Sequence, residues 1–377
     1  MTYDAIIVGV GGMGSAAAYH LARRGLRVLA LERFPLGHEF GSSHGLTRII
    51  RLAYFEHPSY VPLLRRSFEL WRELEHASSS SLLHVTGALD IGPEESEVFE
   101  GSLLSCREYG LRHEVLTGTS LHARFTAFEF PAHYRAVLQP DGGFLLSERC
   151  IEAHARLATA LGAEVRLGEA MIAWEPTSSG VRVRTEAGVY DGAQLVVAAG
   201  AWNGALVPEL APFLTPERQV AGWFEPHDPS RFAPRNFPVF NLDVDEGRFY
   251  GFPEFGVPGF KIGKWHHLSE RVDPDRVDRA THPRDEAALR ACVDRYFPAG
   301  GGSLLMSKVC MFTNTPDEHF IIDRHPAHSQ VLLVSPCSGH GFKFCSVIGE
   351  IVADLVEHDS TEHDISLFRL ARFSSLR

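Results

Sequence analysis

The chain has 377 residues, 45% of them hydrophobic and 22% charged, which is apolar content for a large core and length for about two structural domains. A formal net charge of -11 argues against nucleic acid as a partner, and no apolar run reaches the ~18 residues that cross a bilayer, so no membrane partner is expected. Six cysteines (Cys106, Cys150, Cys292, Cys310, Cys337 and Cys345) stand far apart without CxxC pairs or a His/Cys ligand spacing, so neither a disulfide framework nor a metal centre is expected.

The first predicted elements form one unit. Tyr3–Val8 is a short apolar run of β-formers, Gly9-Val10-Gly11-Gly12-Met13-Gly14 follows at once, and residues 15–24 read as a helix. Strand, glycine turn and helix in this order make a dinucleotide-binding opening. Gly9 permits the tight turn, Gly11 lets the backbone approach a pyrophosphate on the positive end of the helix, and Gly14 lets helix and strand pack closely, with Gly12 and Met13 in the same turn. A second strand over residues 27–31 ends in Glu32, whose carboxylate is placed to accept hydrogen bonds from a ribose diol, and Arg33 follows it. Because the opening strand begins at residue 3, no signal peptide is expected ahead of it, and the expected location is cytoplasmic. Only one such fingerprint is present. If the dinucleotide is FAD, electrons must therefore come from the substrate and leave to oxygen or to another carrier.

Further along, residues 60–75 carry Val61, Leu64, Phe68, Leu70 and Trp71 at mixed three- and four-residue spacing, which predicts a helix. Ser147 opens an alanine-rich helix to about Leu161, stopped by Gly162. Residues 163–167, 171–176, 181–185 and a run from Val189 predict strands of a small meander, which ends in the buried-strand pattern 195–199 with Gly200 and Trp202 just after it. From about 215 to 305 prolines and aromatics multiply, helix signals weaken and strand-like runs such as 248–252 predict an antiparallel second domain. Residues 331–334 are again a strand, and the small-residue turn 337–341 leads into a helix over 344–355, so the two domains are expected to be interleaved.

Only four of the 36 basic residues are lysines: Lys261, Lys264, Lys308 and Lys343. Where arginine serves as the general cation, a retained lysine marks either the tail of a skewed distribution or a place needing a compact ammonium able to shift its pKa.

Several motifs occur together in a fixed order: Gly9-x-Gly11-x-x-Gly14; Gly41-Ser42-Ser43-His44-Gly45-Leu46-Thr47-Arg48-Ile49-Ile50-Arg51; Tyr250-Gly251-Phe252-Pro253; Phe260-Lys261-Ile262-Gly263; Cys310-Met311-Phe312; and Ser338-Gly339-His340-Gly341-Phe342-Lys343-Phe344. Over nearly the whole chain they resemble the monomeric sarcosine oxidase and N-methyltryptophan oxidase family of amine-oxidising flavoenzymes. The resemblance implies an α/β fold in which a dinucleotide-binding FAD domain (1–80, 140–215 and 306–377) is interleaved with an antiparallel-sheet α+β substrate domain (81–139 and 216–305). It implies FAD linked covalently through Cys310, an oxygen-activating Lys261, and a substrate carboxylate held by Arg51 and Lys343. His44 and Arg48 match residues packed against the flavin, Ser42 and Thr47 share their loop, Gly339, Gly341 and Phe342 match the C-terminal cofactor turn, and Tyr250 lines the pocket.

The implied reaction oxidises an N-methyl amino acid to an imine that hydrolyses, with O2 reduced to H2O2, by an enzyme expected to be a monomer. Oxidation of a cyclic amino acid such as L-pipecolate or L-proline, and a dehydrogenase with a non-oxygen acceptor, remain as alternatives. A purely flavin-binding protein would leave Cys310, Lys261 and Arg51 without purpose.

Three departures fall in substrate space. Sarcosine-type members have a histidine four positions after the lysine, whereas Trp265 holds that place, followed by His266 and His267; either His266 takes the role or the tryptophan reshapes the pocket. Tyr54 is followed by Phe55 in place of glycine, and Asn241 stands where methionine is expected.

Overall fold

Tyr3–Val8 lies inside an eight-stranded sheet of the computed structural model, which describes residues 2–376, the side chains of 374–376 excepted. It pairs in parallel with Val28–Glu32 on one side and with the C-terminal half of Val189–Val197 on the other. Both faces of these strands are covered, which is why they read as unbroken apolar runs instead of alternating ones. Glu164–Leu167 extends the sheet past Val28–Glu32; His328–Ser335 and Gly180–Thr185 share the far side of Val189–Val197, and Ile321–His325 and Met171–Thr177 complete it.

The helix Gly12–Arg23 begins three residues earlier than the sequence pattern predicts and packs between Ser147–Ala160 and Cys345–His358. Its small residues permit this approach: a Cβ on Gly349 would stand 2.6 Å from the Ala16 carbonyl carbon. No helix among the described residues is long and apolar enough to cross a membrane.

The second sheet runs Leu304–Asn314, Thr215–Phe224, Phe260–Lys264, Gly247–Phe252, Val239–Val244, Ala88–Gly92, Arg135–Gln139 and Glu114–Thr117. Its pairings are antiparallel except for Val239–Val244 with Ala88–Gly92. One face is buried by a phenylalanine cluster in which Phe128, Phe237, Phe240 and Phe297 meet ring to ring, together with the helix Pro283–Tyr296. That helix lies where helix signals are weak. Pro283 suits its first turn, Asp285 Oδ2 accepts from His282 N at 2.9 Å, and its buried apolar stripe is only Leu289, Cys292, Val293 and Tyr296.

The expected domain boundary at residue 306 falls inside Leu304–Asn314. That strand is paired along its length with Thr215–Phe224, from Leu304 opposite Phe224 to Asn314 opposite Thr215, so the second sheet continues to Asn314 and carries Cys310. A small third sheet of Thr47–Ile50, Gly143–Leu146 and Leu83–Val85 sits between the two, which places 83–85 beside segments assigned to the other domain.

Candidate active site

A cleft of about 460 Å³ opens at the end of the first sheet's parallel strands, where the chain leaves Tyr3–Val8 for its first helix. Gly9 has φ +92°, and a Cβ on Gly14 would lie 1.7 Å from the Gly9 carbonyl oxygen, so both positions require glycine. Gly11 caps the helix without any side-chain hydrogen bond, and a Cβ there meets nothing within 4 Å. The uncapped helix start thus presents free N–H groups to the cleft, along which Gly12 and Met13 also lie. The Glu32 carboxylate is fixed by Val10 N (2.7 Å) and Phe34 N (3.0 Å) at the cleft wall, beside Arg33. Gly200, Trp202 and Ser42 line the same space, and Gly339, Gly341 and Phe342 close its far end. Ser42 Oγ and Thr313 Oγ1 are buried there without a partner among the described residues. An anion site at a helix start, a fixed carboxylate at a strand end and orphaned hydroxyls between them fit an extended dinucleotide such as FAD.

Arg48, Phe312, Gly339 and Phe342 line both this cleft and a deeper chamber of about 60 Å³. Lys261, Cys310, Tyr250, Arg51, Lys343 and His44 all line the chamber. The loop before Thr47–Ile50 is held by Glu148, which accepts from Gly45 N (2.7 Å) and Leu46 N (3.0 Å), and by Arg48, which donates to the carbonyls of Ser42 (2.7 Å) and His44 (2.5 Å). Lys261 Nζ donates to the carbonyls of Gly45 (2.7 Å) and Thr47 (3.0 Å), and Thr47 itself stays behind the wall. Burial, then the nearby Arg48 guanidinium, hold the Lys261 pKa well below the lysine range. The Cys310 thiol is raised by burial, against the opposing pull of Arg48 and Lys261. His44 is pushed down to about 4 by burial, then by Arg48, and both its ring nitrogens lack partners among the described residues.

The cationic end of the chamber is built on buried carboxylates. Arg51 is 2% exposed; it donates to the Ala53 carbonyl and to Glu56 Oε2 (2.8 Å), and its Nε lies 3.6 Å from Asp90 Oδ1. Burial works against its charge, but Asp90 and Glu56 outweigh that and raise its pKa. Lys343 Nζ donates to the His340 carbonyl at 2.7 Å, and burial lowers its pKa to about 7. His340 is itself lowered to about 4 by burial, with Nδ1 2.6 Å from the Tyr54 hydroxyl.

Trp265, and not His266, lines the chamber, which corrects the expectation of a catalytic His266. The strand Phe260–Lys264 ends just before the pair, and His266 (φ +55°) and His267 (φ +23°) turn into the left-handed region, so the His266 ring leaves the pocket. It is clamped between Glu217 (Nδ1 to Oε2 3.1 Å) and Glu318 (Nε2 to Oε1 2.7 Å), and these hydrogen bonds raise its pKa to about 9. Sequence reasoning also passed over Glu56, Asp90 and His340. Only Glu56 carried a local signal, an acid five residues beyond Arg51.

The FAD dependent oxidoreductase family profile matches residues 4–355. A monomeric sarcosine oxidase of Bacillus sp. (strain NS-129) is 42% identical over 376 residues, spanning 98% of this chain and 97% of that protein. An N-methyl-L-tryptophan oxidase of Salmonella heidelberg (strain SL476) is 36% identical over 378 residues, spanning 99% of this chain and 100% of that protein. Among solved structures, NikD, an unusual amino acid oxidase essential for nikkomycin biosynthesis, matches with TM-score 0.84 at 26% identity, covering 98% of this chain and 97% of its own. The chain belongs to the FAD dependent oxidoreductase family, together with the monomeric sarcosine oxidases and the N-methyl-L-tryptophan oxidases.

Proposed function

We infer that the protein is an oxidase of secondary amino acids that turns an N-methyl amino acid into an imine, which water hydrolyses, while O2 is reduced to H2O2. The observation that carries this reading is one chamber walled by two buried cations, Arg51 and Lys343, together with Lys261 and Cys310. Two cations suit one carboxylate, the guanidinium through its planar fork and the ammonium as a point charge. FAD, when bound, would supply the redox chemistry: acceptance of a hydride equivalent, two electrons and one proton, from the carbon next to the amine nitrogen, and return of two electrons to O2. The remaining work falls to side chains: Arg51 and Lys343 orient the acid, Tyr250 walls the amine, and Lys261 offers positive charge where superoxide first forms. Cys310, facing the same chamber, is the thiol for covalent attachment of the cofactor. The chamber of about 60 Å³, with Trp265 in its wall, favours a small amino acid as substrate. The relatives named as monomeric sarcosine oxidases support a monomer.

A panel of N-methyl amino acids, L-proline, L-pipecolate, their methyl esters and decarboxylated amines, scored by peroxide release, tests this reading. Acids should outperform their esters and simple amines by on the order of a hundredfold in kcat/KM. Simple amines turning over best would remove the clamp, and turnover only with an artificial acceptor would make the protein a dehydrogenase.

A further inference from the structure

Trp265 and Asn241 both line the chamber and carry no role in holding carboxylate, cofactor or oxygen. Trp265 has a rigid seat. Its ring rests on Gly339, where an added Cβ would come within 2.7 Å of Cη2, lies 5.2 Å from the Phe312 ring and stacks near His340. The clamp of His266 between Glu217 and Glu318 fixes the following residue. Nothing in this seat satisfies the indole: Nε1 is buried and has no partner among the described residues. A buried donor without an acceptor costs free energy that a ligand oxygen would recover.

Asn241 supplies the complementary group. It lies on Val239–Val244 and lines the same chamber. Its Nδ2 donates to Asp90 Oδ1 at 2.7 Å, and Asp90, 1% exposed, is held in turn by Ser102 Oγ at 2.7 Å. The carboxylate takes the amide donor, so Oδ1 is the end of the Asn241 carboxamide left to accept. Among the described residues, Trp265 and Asn241 thus bring an unpartnered donor and a free acceptor to the walls of one small chamber. A hydroxyl is the smallest group that meets both, since its oxygen accepts while its hydrogen donates.

We propose that Trp265 Nε1 and Asn241 Oδ1 form a recognition site for a hydroxyl group on the substrate, so that this chain selects N-methyl amino acids with a hydroxyl-bearing side chain over aliphatic ones of the same shape. The site rests on the oxidase reading above and names the substrate class within it. Trp265 and Asn241 set specificity; Asp90 is a positioning residue that acts through Asn241.

N-methylserine and N-methyl-2-aminobutyrate form a near-isosteric pair that differs in hydroxyl against methyl. The holoenzyme should prefer the serine derivative in kcat/KM by on the order of tenfold or more, because the aliphatic analogue leaves both pocket groups unpaired. Trp265→Phe keeps the ring and removes the N–H; its ratio should fall toward one, a change that loss of packing alone does not produce. The ratio in the unaltered enzyme needs no variant, so poor folding of Trp265→Phe does not block the test. Equal turnover of the pair, or a ratio that survives in a folded Trp265→Phe, overturns the hydroxyl site while leaving the oxidase reading in place. Failure to oxidise either compound, or sarcosine, overturns both.

Discussion

Lys261 Nζ donates to the carbonyl oxygen of Gly45 at 2.7 Å, joining a strand of the second sheet to the loop that leads into the small sheet, 216 residues away in sequence. The bond fixes the Lys261 amino nitrogen at the chamber wall, 4.4 Å from the Phe252 ring centroid, where burial favours the neutral form until negative charge develops beside it. If Lys261 stabilises the charge that develops on oxygen, its loss costs about a hundredfold or more in that step, whereas the amine half-reaction does not depend on it. Stopped-flow measurement on Lys261→Met should therefore show oxygen reduction slowed far more than amine oxidation. Equal slowing of both halves would make Lys261 a structural tie only.

Two thiols reach the cofactor space, Cys310 in the deeper chamber and Cys337 in the long cleft. Covalent attachment through Cys310 predicts that FAD stays with the chain through acid denaturation and adds its mass to the intact protein. Cys310→Ser should lose that increment and Cys337→Ser should keep it. The opposite pattern reassigns the linkage.

Gly14→Ala tests the opening turn. The new methyl would lie 1.7 Å from a backbone oxygen of Gly9, which neither strand nor helix can move aside cheaply. Overpacking of this kind costs about 3 kcal/mol, and the distortion falls on the anion-binding helix start. A lowered Tm with substoichiometric FAD is the expected result. Full FAD loading at unchanged Tm would show that the turn accommodates the methyl group.

The opening turn was legible because its information is local: glycine spacing, the strand before it and Glu32 at the end of the next strand all lie within about thirty residues. Arg51, Tyr250, Lys261, Cys310 and Lys343 were each named from motifs, and the fold brings all five to one chamber. What supports them was not legible, since it depends on pairings across the chain. Asp90 meets Asn241 only because Ala88–Gly92 and Val239–Val244 pair in parallel, the exception in their sheet. The choice between Trp265 and His266 at the chamber wall turns on two consecutive left-handed residues, which neither composition nor periodicity signals. The continuation of the second sheet past residue 306 has a similar cause, a ladder between strands roughly ninety residues apart.

The pH dependence of carboxylate binding isolates Lys343. Its pKa is lowered to about 7 by burial, so the ammonium is charged below that value and neutral above it. Arg51 has its pKa raised by Asp90 and Glu56 and stays charged throughout. The clamp therefore holds two positive charges on the acid side and one on the alkaline side. The affinity of a simple aliphatic carboxylate that competes with substrate and lacks an amine should be greatest below about pH 7 and fall above it, by at most about tenfold per pH unit for one proton. An inhibitor without an amine matters, because the substrate's own amine deprotonates over the same range and would raise kcat/KM as the clamp weakens. Lys343→Met should flatten the profile at the weaker level, and Lys343→Arg should flatten it at the stronger one where the fork fits. An inhibition constant that stays level from about pH 6 to about pH 9 in the unaltered enzyme would take Lys343 out of the clamp and leave Arg51 as its one titration-independent cation.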